Sequence, residues 1–458
     1  MQIPCSLLTA FPHGVEFESA LLVEIVPLPA SPARDRRVCS RPGFTACARA
    51  RRMEQTVLRR RWMRYRAMPR ISQTVSALGF GAMRLPGNAL HADEKRAVAV
   101  IRRAIDLGIN YFDTAYLYHL GGSERALGRA LRDGYRQRVL VADKLPMILL
   151  RRPEDFDRFL EAQLRRLETE WIDFYLFHGM NRAYLRKMID FGLLERMEGA
   201  RRRGVIRYIG FSFHDTLPVF KEIIDQYDWD MTQVQYNYLD TAQQATSEGL
   251  AYAHRKGIPV VVMGGLRGGK LANPPAEAAA IIRNATSQRT PVEWAFQFLW
   301  DQPEVTTVLS GMSSAAMVQE NCRYADCSGT TSLSEQDRSV IRSLVDVYRK
   351  RILVGCTACS YCVPCPNGVN IPEIFAQLNT ASGPGGFQSW LIRRRYGKLA
   401  STAETVSHEA PNGSAALCTD CGQCVARCPQ GIDIPAVLWK ADLVLGKRRK
   451  IAEVFGPA

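Results

Sequence analysis

From Met63 onward, apolar runs of strand length alternate with segments of helical period. Eight runs are predicted as strands: Leu78–Met83, Ile109–Asp113, Val139–Lys144, Ile172–His178, Ile206–Ser212, Thr232–Tyr236, Pro259–Met263 and Thr306–Ser310. Strands alternating with helices over about 250 residues predict an α/β fold, a (β/α)8 barrel. An open doubly wound sheet is the alternative, but it usually has G-x-G-x-x-G after its first strand. Here Gly79-Phe80-Gly81 leads on to Met83 and not to a helix.

The chain has 458 residues, which is too many for one ordinary core. Residues 1–62 show no sustained periodicity, and we expect a disordered or non-native extension there, with an organelle-targeting or regulatory arm as the alternative. The barrel is expected to span residues 63–332, followed by a linking helix at 333–354. The composition changes abruptly at Gly355, so residues 355–458 are predicted to form a second domain.

The formal net charge is +15, and residues 1–62 supply +5 of it. The remaining basic character is mild and forms no aromatic-interleaved groove, so we expect no nucleic-acid role. No run of eighteen apolar residues and no secretory signal is found, so we expect a cytoplasmic protein without a membrane span. Eight of the thirteen cysteines fall in two tight groups, which indicates metal binding rather than disulfides.

Polar side chains stand at the ends of the second, third and fourth predicted strands: Asp113, Lys144 and His178. Catalytic groups of such barrels lie at the carboxyl ends of the strands, so these residues should face one mouth, together with Tyr118. An ammonium held by a carboxylate lowers the pKa of a nearby phenol, which is ordinarily about 10. The set therefore suits proton donation to a carbonyl oxygen as a hydride arrives at carbon. A structural ion pair, a rim tyrosine and a core histidine are the alternatives.

Residues 63–326 resemble the aldo-keto reductase family, which has the TIM-barrel fold. The matching pieces are Leu78–Gly81, Phe112–Ala115, Tyr118, Ser123-Glu124, Lys144, Asp173–His178, Ile206–Ser212 and Gln233–Asn237. The family's tetrad maps onto Asp113, Tyr118, Lys144 and His178. The resemblance implies NAD(P)H-dependent reduction of small carbonyl compounds, or oxidation of the alcohols, with Ser212 and Gln233 bonded to the nicotinamide amide.

Some positions depart from the family pattern. Met263 stands where an aromatic residue often stacks on the nicotinamide. The glycine-rich loop that follows, residues 264–270 with Leu266 and Arg267, is expected to cradle a pyrophosphate, and a plain flexible loop is the alternative. Glu320 and Asn321 fit the family's adenine-side pattern. The basic residues that usually meet a 2′-phosphate are replaced, so the choice between NADPH, NADH and neither stays open.

Two cysteine motifs follow the barrel. The first is Cys356-x2-Cys359-x2-Cys362-x2-Cys365-Pro366, and the second is Cys418-x2-Cys421-x2-Cys424-x3-Cys428-Pro429. The second has the spacing of a bacterial ferredoxin run, whose fourth cysteine ligates the other cluster. A crossed assignment would then group Cys428 with the first three cysteines of the first motif, and Cys365 with the first three of the second. Structural zinc sites are the alternative.

The tail resembles small, mostly helical ferredoxin-type domains with two 4Fe–4S clusters, and the combination resembles aldo-keto reductases that carry one. Our main hypothesis is a carbonyl/alcohol oxidoreductase that uses NAD(P)H and is coupled to electron transfer through two clusters. Hydride carries two electrons and each cluster carries one, so coupling calls for a flavin or a redox partner protein. No sequence feature specifies a flavin. The alternatives are a cluster-fed reductase without nicotinamide, and an electron-carrier or binding module with a vestigial barrel site.

Overall fold

The computed structural model describes residues 63–88, 91–382, 392–397 and 413–456. They belong to one compact unit, Arg61–Ala458. The extension predicted for residues 1–62 lies outside the described residues. Within the described part, every helix is too short or too polar to cross a membrane.

A closed eight-stranded parallel barrel forms the larger part of the unit and confirms the predicted fold. The strands of the chain are β1 (Tyr65–Met68), β2 (Gln73–Ser76), β3 (Leu78–Gly81), β4 (Tyr111–Asp113), β5 (Leu140–Leu145), β6 (Ile172–Met180), β7 (Ile206–Phe213), β8 (Met231–Gln235), β9 (Val260–Met263) and β10 (Val305–Ser310). Strands β3 to β10 follow one another around the barrel, and β10 closes it against β3. The carboxyl ends of these strands form one mouth.

The first two strands form an antiparallel hairpin that sequence analysis missed. Each has only four residues, too few to show a clear alternation. Met68, Ile71 and Val75 of this hairpin pack with the inward-facing barrel residues. The hairpin therefore fills the end of the barrel opposite the mouth and leaves the mouth to the site.

Helices cover the outside of the barrel. Their bounds are Glu94–Asp106, Gly122–Ala130, Asp155–Leu167, Arg182–Asp190, Leu193–Arg202, Leu217–Gln226, Thr246–Arg255, Ala276–Asn284, Pro291–Trp300 and Ala315–Asp326. The first begins where the Asp93 side chain accepts a hydrogen bond from the Arg96 N–H, and it buries Val100 and Ile101 against the barrel. Each such helix carries one apolar stripe toward the strands.

The predicted linking helix is observed as Glu335–Arg349, started by a capping box at Ser334. It packs Ile341, Leu344 and Tyr348 in a core that also contains Ala278 and Trp294 of barrel helices. It is thus a further layer of the barrel and not a free connection. The apolar residues of this helix recur at ordinary helical spacing, and they form the stripe that packs against the barrel.

The cysteine-rich tail has its own small core. Its described helices are Ile371–Ala381, 392–397, Ile434–Ala441 and Ile451–Phe455. Ile374 and Leu378 of the first pack in one cluster with Ile434 and Leu438 of the third, and six of the motif cysteines pack against that cluster. Residues 365–372, Cys-Pro-Asn-Gly-Val-Asn-Ile-Pro, are repeated as Cys-Pro-Gln-Gly-Ile-Asp-Ile-Pro at 428–435. This internal sequence repeat leads into two equivalent helices that share one core.

Candidate active site and cysteine sets

The four predicted catalytic residues lie together at the mouth. Lys144 Nζ donates to both oxygens of Asp113 at 2.7 Å and to the Thr114 carbonyl at 2.7 Å. Lys144 Nζ also lies 5.3 Å from the centre of the Tyr118 ring. The rings of Tyr118 and His178 meet edge to face, with centroids 6.1 Å apart. The barrel has brought an acid, a lysine, a tyrosine and a histidine from three successive strands to one point.

Burial dominates the electrostatics of this group. It raises the pKa of Tyr118, and the Asp113 carboxylate adds to the rise. We had expected the Lys144 ammonium to lower the pKa of Tyr118, but Asp113 holds that charge and desolvation outweighs it. Burial also raises the pKa of Asp113, and Lys144 opposes this rise. Burial, and then the Lys144 charge, set the pKa of His178 well below its usual range, so its imidazole is neutral at pH 7.

Tyr361 of the tail also reaches this site. Its hydroxyl lies near the Tyr118 hydroxyl, and each of the two groups acts on the pKa of the other. Its ring lies edge-on to His178, with centroids 6.5 Å apart. The tyrosine stands between Cys359 and Cys362 in the first motif, and sequence reasoning missed it. An aromatic residue inside a C-x2-C spacing is a weak signal, and only the docking of the tail places it beside Tyr118.

A further buried group lies behind Lys144. Asp143 and Glu124 are both fully buried and are hydrogen-bonded to each other. Arg166 pairs with Glu124 at 2.7 Å, and the Asp143 carboxylate accepts from the Lys144 N–H at 2.8 Å. Burial raises the pKa of Asp143, and the Glu124 charge raises it further. Burial raises the pKa of Glu124 as well, so each of the two carboxyl groups holds a proton more tightly than a free carboxyl group does.

The residues predicted for the nicotinamide ring lie at the ends of neighbouring strands. Ser212 accepts a hydrogen bond from the Gly179 N–H at 2.8 Å, which leaves its own hydroxyl hydrogen free to donate. Gln233 directs its amide nitrogen toward the Met263 sulfur at 3.5 Å. Gln233 Oε1 is buried and has no partner among the described residues. An unpartnered buried acceptor beside a serine hydroxyl fits a carboxamide, so the ring end of the predicted site fits the cofactor.

The residues predicted for the rest of the dinucleotide are engaged within the chain. Arg267 is 3% exposed and pairs with Asp240 at 3.1 Å. Glu320 accepts from the Tyr324 hydroxyl at 2.6 Å, and Asn321 donates to the Ser310 hydroxyl at 3.1 Å. Leu266 packs against the apolar core and not into an open groove. The phosphate and adenine end of the predicted site therefore does not fit the cofactor in this arrangement.

The eight motif cysteines fall into two sets. One cavity is lined by Cys356, Cys359, Cys362 and Cys428. The second set is Cys365, Cys418, Cys421 and Cys424, whose charges act on one another. Each motif thus lends its last cysteine to the other set. The two halves of the repeated tail pack against each other through their helices. This packing places the last cysteine of each motif beside the first three cysteines of the other.

Four thiolates in one set would repel one another unless a cation lay among them. Burial raises the pKa of Cys362 to about 12, and the neighbouring Cys359, Cys356 and Cys428 add to the rise. Backbone groups turn toward the sulfur atoms: the Ala358 N–H donates to Cys356 Sγ at 3.4 Å. No group of three or more His, Cys, Asp or Glu side chains in the described residues is close enough for a single ion. All-cysteine donors around a cavity, with backbone N–H groups on sulfur, fit an iron–sulfur cluster.

The tail contacts the mouth through other residues besides Tyr361. Gln430 and Gln235 exchange two amide hydrogen bonds, of 2.8 and 3.0 Å. Gln244 donates to the Pro429 carbonyl at 2.9 Å, and Lys270 donates to the Cys356 carbonyl. The first cysteine set, which consists of Cys356, Cys359, Cys362 and Cys428, therefore adjoins the site. No helix or sheet of the described residues lies between Tyr361 and Tyr118.

Comparison with known proteins agrees with this arrangement. Residues 77–345 match the model of the aldo/keto reductase family, and residues 355–432 match a 4Fe-4S dicluster domain. The uncharacterized oxidoreductase YqkF of Bacillus subtilis is 26% identical over 63% of this chain and 99% of its own length. The L-galactose dehydrogenase of Arabidopsis thaliana is 26% identical over 61% of this chain and 94% of its own length.

A solved structure shares the fold. The aldo-keto reductase AKR11C1 from Bacillus halodurans, in its holo form, superposes with a TM-score of 0.53 at 29% identity, covering 62% of this chain and 96% of that protein. The family match covers more than half of the 458 residues. This chain is therefore an oxidoreductase that belongs to the aldo/keto reductase family and carries a C-terminal 4Fe-4S dicluster domain.

Proposed function

We propose that this enzyme interconverts a small carbonyl compound and its alcohol beside Tyr118, and that the site exchanges electrons with two 4Fe–4S clusters in the tail. One observation carries the proposal. Tyr361, which stands between Cys359 and Cys362, lies edge-on to His178 with ring centroids 6.5 Å apart, and its hydroxyl lies near that of Tyr118. Because the first cysteine set and the proton-donating site meet through these tyrosines, redox and proton chemistry can act on one substrate.

Within the site, Tyr118 is the proton donor. Its raised pKa keeps it protonated while the site is empty. As the carbonyl oxygen gains negative charge, its proton affinity rises above that of the phenolate and it takes the proton. Lys144, fixed by Asp113 and the Thr114 carbonyl, stabilises the phenolate that is left. The neutral His178 orients the substrate oxygen with a hydrogen bond.

The cysteine sets hold the clusters. We assign Cys356, Cys359, Cys362 and Cys428 to one cluster and Cys365, Cys418, Cys421 and Cys424 to the other. Clusters of this type supply or accept electrons one at a time. Burial raises the pKa of Cys356, and the charges of Lys270 and Arg267 beside it oppose this rise. The electrons must enter or leave through an external protein of the ferredoxin or flavodoxin class, which we propose as the partner.

The name of one relative, L-galactose dehydrogenase, supports a small alcohol or carbonyl as the substrate class. Nicotinamide is a weaker part of the proposal. A bound NAD(P)H would supply hydride, and the ring end of the site fits it, but the phosphate end does not. The contacts of the tail on the glycine-rich loop favour the second candidate, a reductase fed by its clusters alone. Free thiols and clusters suit a reducing compartment, so we propose the cytoplasm as its location.

The test begins with anaerobic purification, iron and sulfide analysis, and turnover with dithionite-reduced methyl viologen and a panel of small aldehydes. We expect about eight irons per chain. Tyr118→Phe should keep the iron and lose about 100-fold or more of the turnover. Tyr135→Phe is the matched control, because its hydroxyl bonds to the exposed Asp106 away from the mouth. If Tyr118→Phe left turnover unchanged, the protein would be only an electron carrier. If the purified chain held zinc in place of iron, the proposed coupling between the site and the clusters would be wrong.

A further inference from the structure

The glycine-rich loop after β9, predicted to cradle a pyrophosphate, is covered by the tail. We propose that the docked tail takes the place of the nicotinamide dinucleotide, so that tail docking and dinucleotide binding exclude each other. This inference rests on the proposed function and concerns the electron source of that same site. In the assembled enzyme, the electron source beside Tyr118 is then the first cysteine set and not a nucleotide.

The backbone of the first cysteine motif lies directly on the loop. The Thr357 carbonyl oxygen is 2.4 Å from the point where a Cβ on Gly268 would stand. Gly268 has a φ of +68°, and only glycine tolerates both that conformation and so close an approach. Gly268, one of the glycines that suggested a phosphate cradle, is thus explained by a contact with the chain's own tail.

The cations of the loop face the tail as well. Lys270 donates to the Cys356 carbonyl. Arg267 is 3% exposed and already pairs with Asp240. A pyrophosphate at this loop would have to displace the carbonyls of Cys356 and Thr357, which lie against Lys270 and Gly268.

A second contact closes the mouth on the side of β8. Gln430 is paired with Gln235 through two amide hydrogen bonds, and Gln235 stands two residues after Gln233. Gln244 adds a hydrogen bond to the Pro429 carbonyl. The tail therefore spans the mouth from the end of β8 to the loop after β9, which is the path that a dinucleotide would follow away from its ring pocket.

The ring end of the predicted site keeps an unpaired group beneath the tail. Gln233 Oε1 is buried without a partner in the part of the chain that the structure describes. A buried acceptor without a partner is costly, and a ligand that pairs with it would remove that cost. An unpaired ring-end acceptor beside a covered phosphate loop is what two mutually exclusive occupants require.

The experiment is isothermal titration calorimetry of the iron-loaded full chain with NADPH and with NADH. The wild type is expected to show no saturable binding up to about 1 mM. The variant Gln244→Ala/Gln430→Ala weakens docking without touching a cysteine or the ring pocket. It should bind at least one dinucleotide about tenfold more tightly or better, because the open fraction rises. Gln73→Ala is the matched control, since that glutamine bonds to Tyr208 at the opposite end of the barrel and should change nothing.

A second readout keeps the test independent of turnover and of the double variant. The rate of iron loss to a ferrous chelator reports how often the tail lifts from the barrel. It should rise in Gln244→Ala alone, which leaves the tail sequence unchanged, and NADPH should raise it further in that variant. Saturable micromolar binding of NADPH to the wild type, with an unchanged rate of iron loss, would overturn the exclusion. The proposed function would still hold in that case. A purified chain without iron would contradict the proposed function, whether or not the chain binds NADPH.

Discussion

The ion pair between Asp113 and Lys144 offers the most quantitative test of how the site is built. Lys144 Nζ lies 2.7 Å from each carboxylate oxygen, and the two side chains are 1% and 4% exposed. Removal of one partner leaves a lone charge in a buried site. We therefore expect Asp113→Ala and Lys144→Met each to lower the free energy of unfolding by about 3–5 kcal/mol.

The double variant Asp113→Ala/Lys144→Met removes both charges at once. Since no lone charge remains, it should be more stable than the sum of the single effects predicts, by about 2–3 kcal/mol or more. The Thr114 carbonyl loses its hydrogen bond from Lys144 in both variants that lack the lysine. That loss therefore cancels when the two are compared, and the coupling measures the ion pair.

Urea unfolding followed by tryptophan fluorescence is the assay, because Trp229, Trp294 and Trp300 are fully buried in the barrel. The visible absorption of the clusters follows the tail separately. Arg138→Ala is the control: its pair with Asp106 is about half exposed, and its loss should cost less than about 1 kcal/mol. Additive single effects, or single effects below about 1 kcal/mol, would refute the idea that burial makes this pair strongly coupled.

Three other predictions concern the tail and the buried titratable groups. Cys428→Ala and Cys356→Ala should remove the same half of the iron and the same electron paramagnetic resonance signal, and Cys365→Ala the other half; one common pattern for all three would contradict the crossed sets. Burial lowers the pKa of His214 to about 4, whereas the unfolded imidazole titrates near about 6.5, so stability should fall by up to about 3 kcal/mol as the pH drops between these values. The thermal midpoint measures this fall, which His214→Gln should reduce. Because burial raises the pKa of Asp143, the folded chain holds that proton more tightly than the unfolded chain, and stability is lost as the pH rises above about 4. Asp143→Asn should therefore be neutral or stabilising at pH 7 in urea unfolding, and a loss above about 2 kcal/mol would show an ionised Asp143.

Local sequence patterns predicted the barrel because strands and helices of this fold are short-range features. The runs at Ile172–His178 and Ile206–Ser212 were recognised from their apolar residues, and both strands continue slightly further, to Met180 and Phe213. The extra residues pair with each other across the sheet, which a single run cannot reveal. The hairpin β1–β2 was missed because each strand has only four residues, too few to show a clear alternation.

The sequence by itself determined that Asp113, Lys144 and His178 share one mouth, because parallel strands of a barrel end on the same side. The sequence by itself also predicts which cysteines bind metal, because their spacing is local. Only the tertiary structure decided that Tyr361 meets Tyr118 and that Arg267 faces the tail. These contacts depend on how two domains dock: Gln235 and Gln430, which join them, are 195 positions apart. Periodicity and spacing carry no information at that range, because such contacts depend on the complementary shape and charge of surfaces that exist only after each domain has folded.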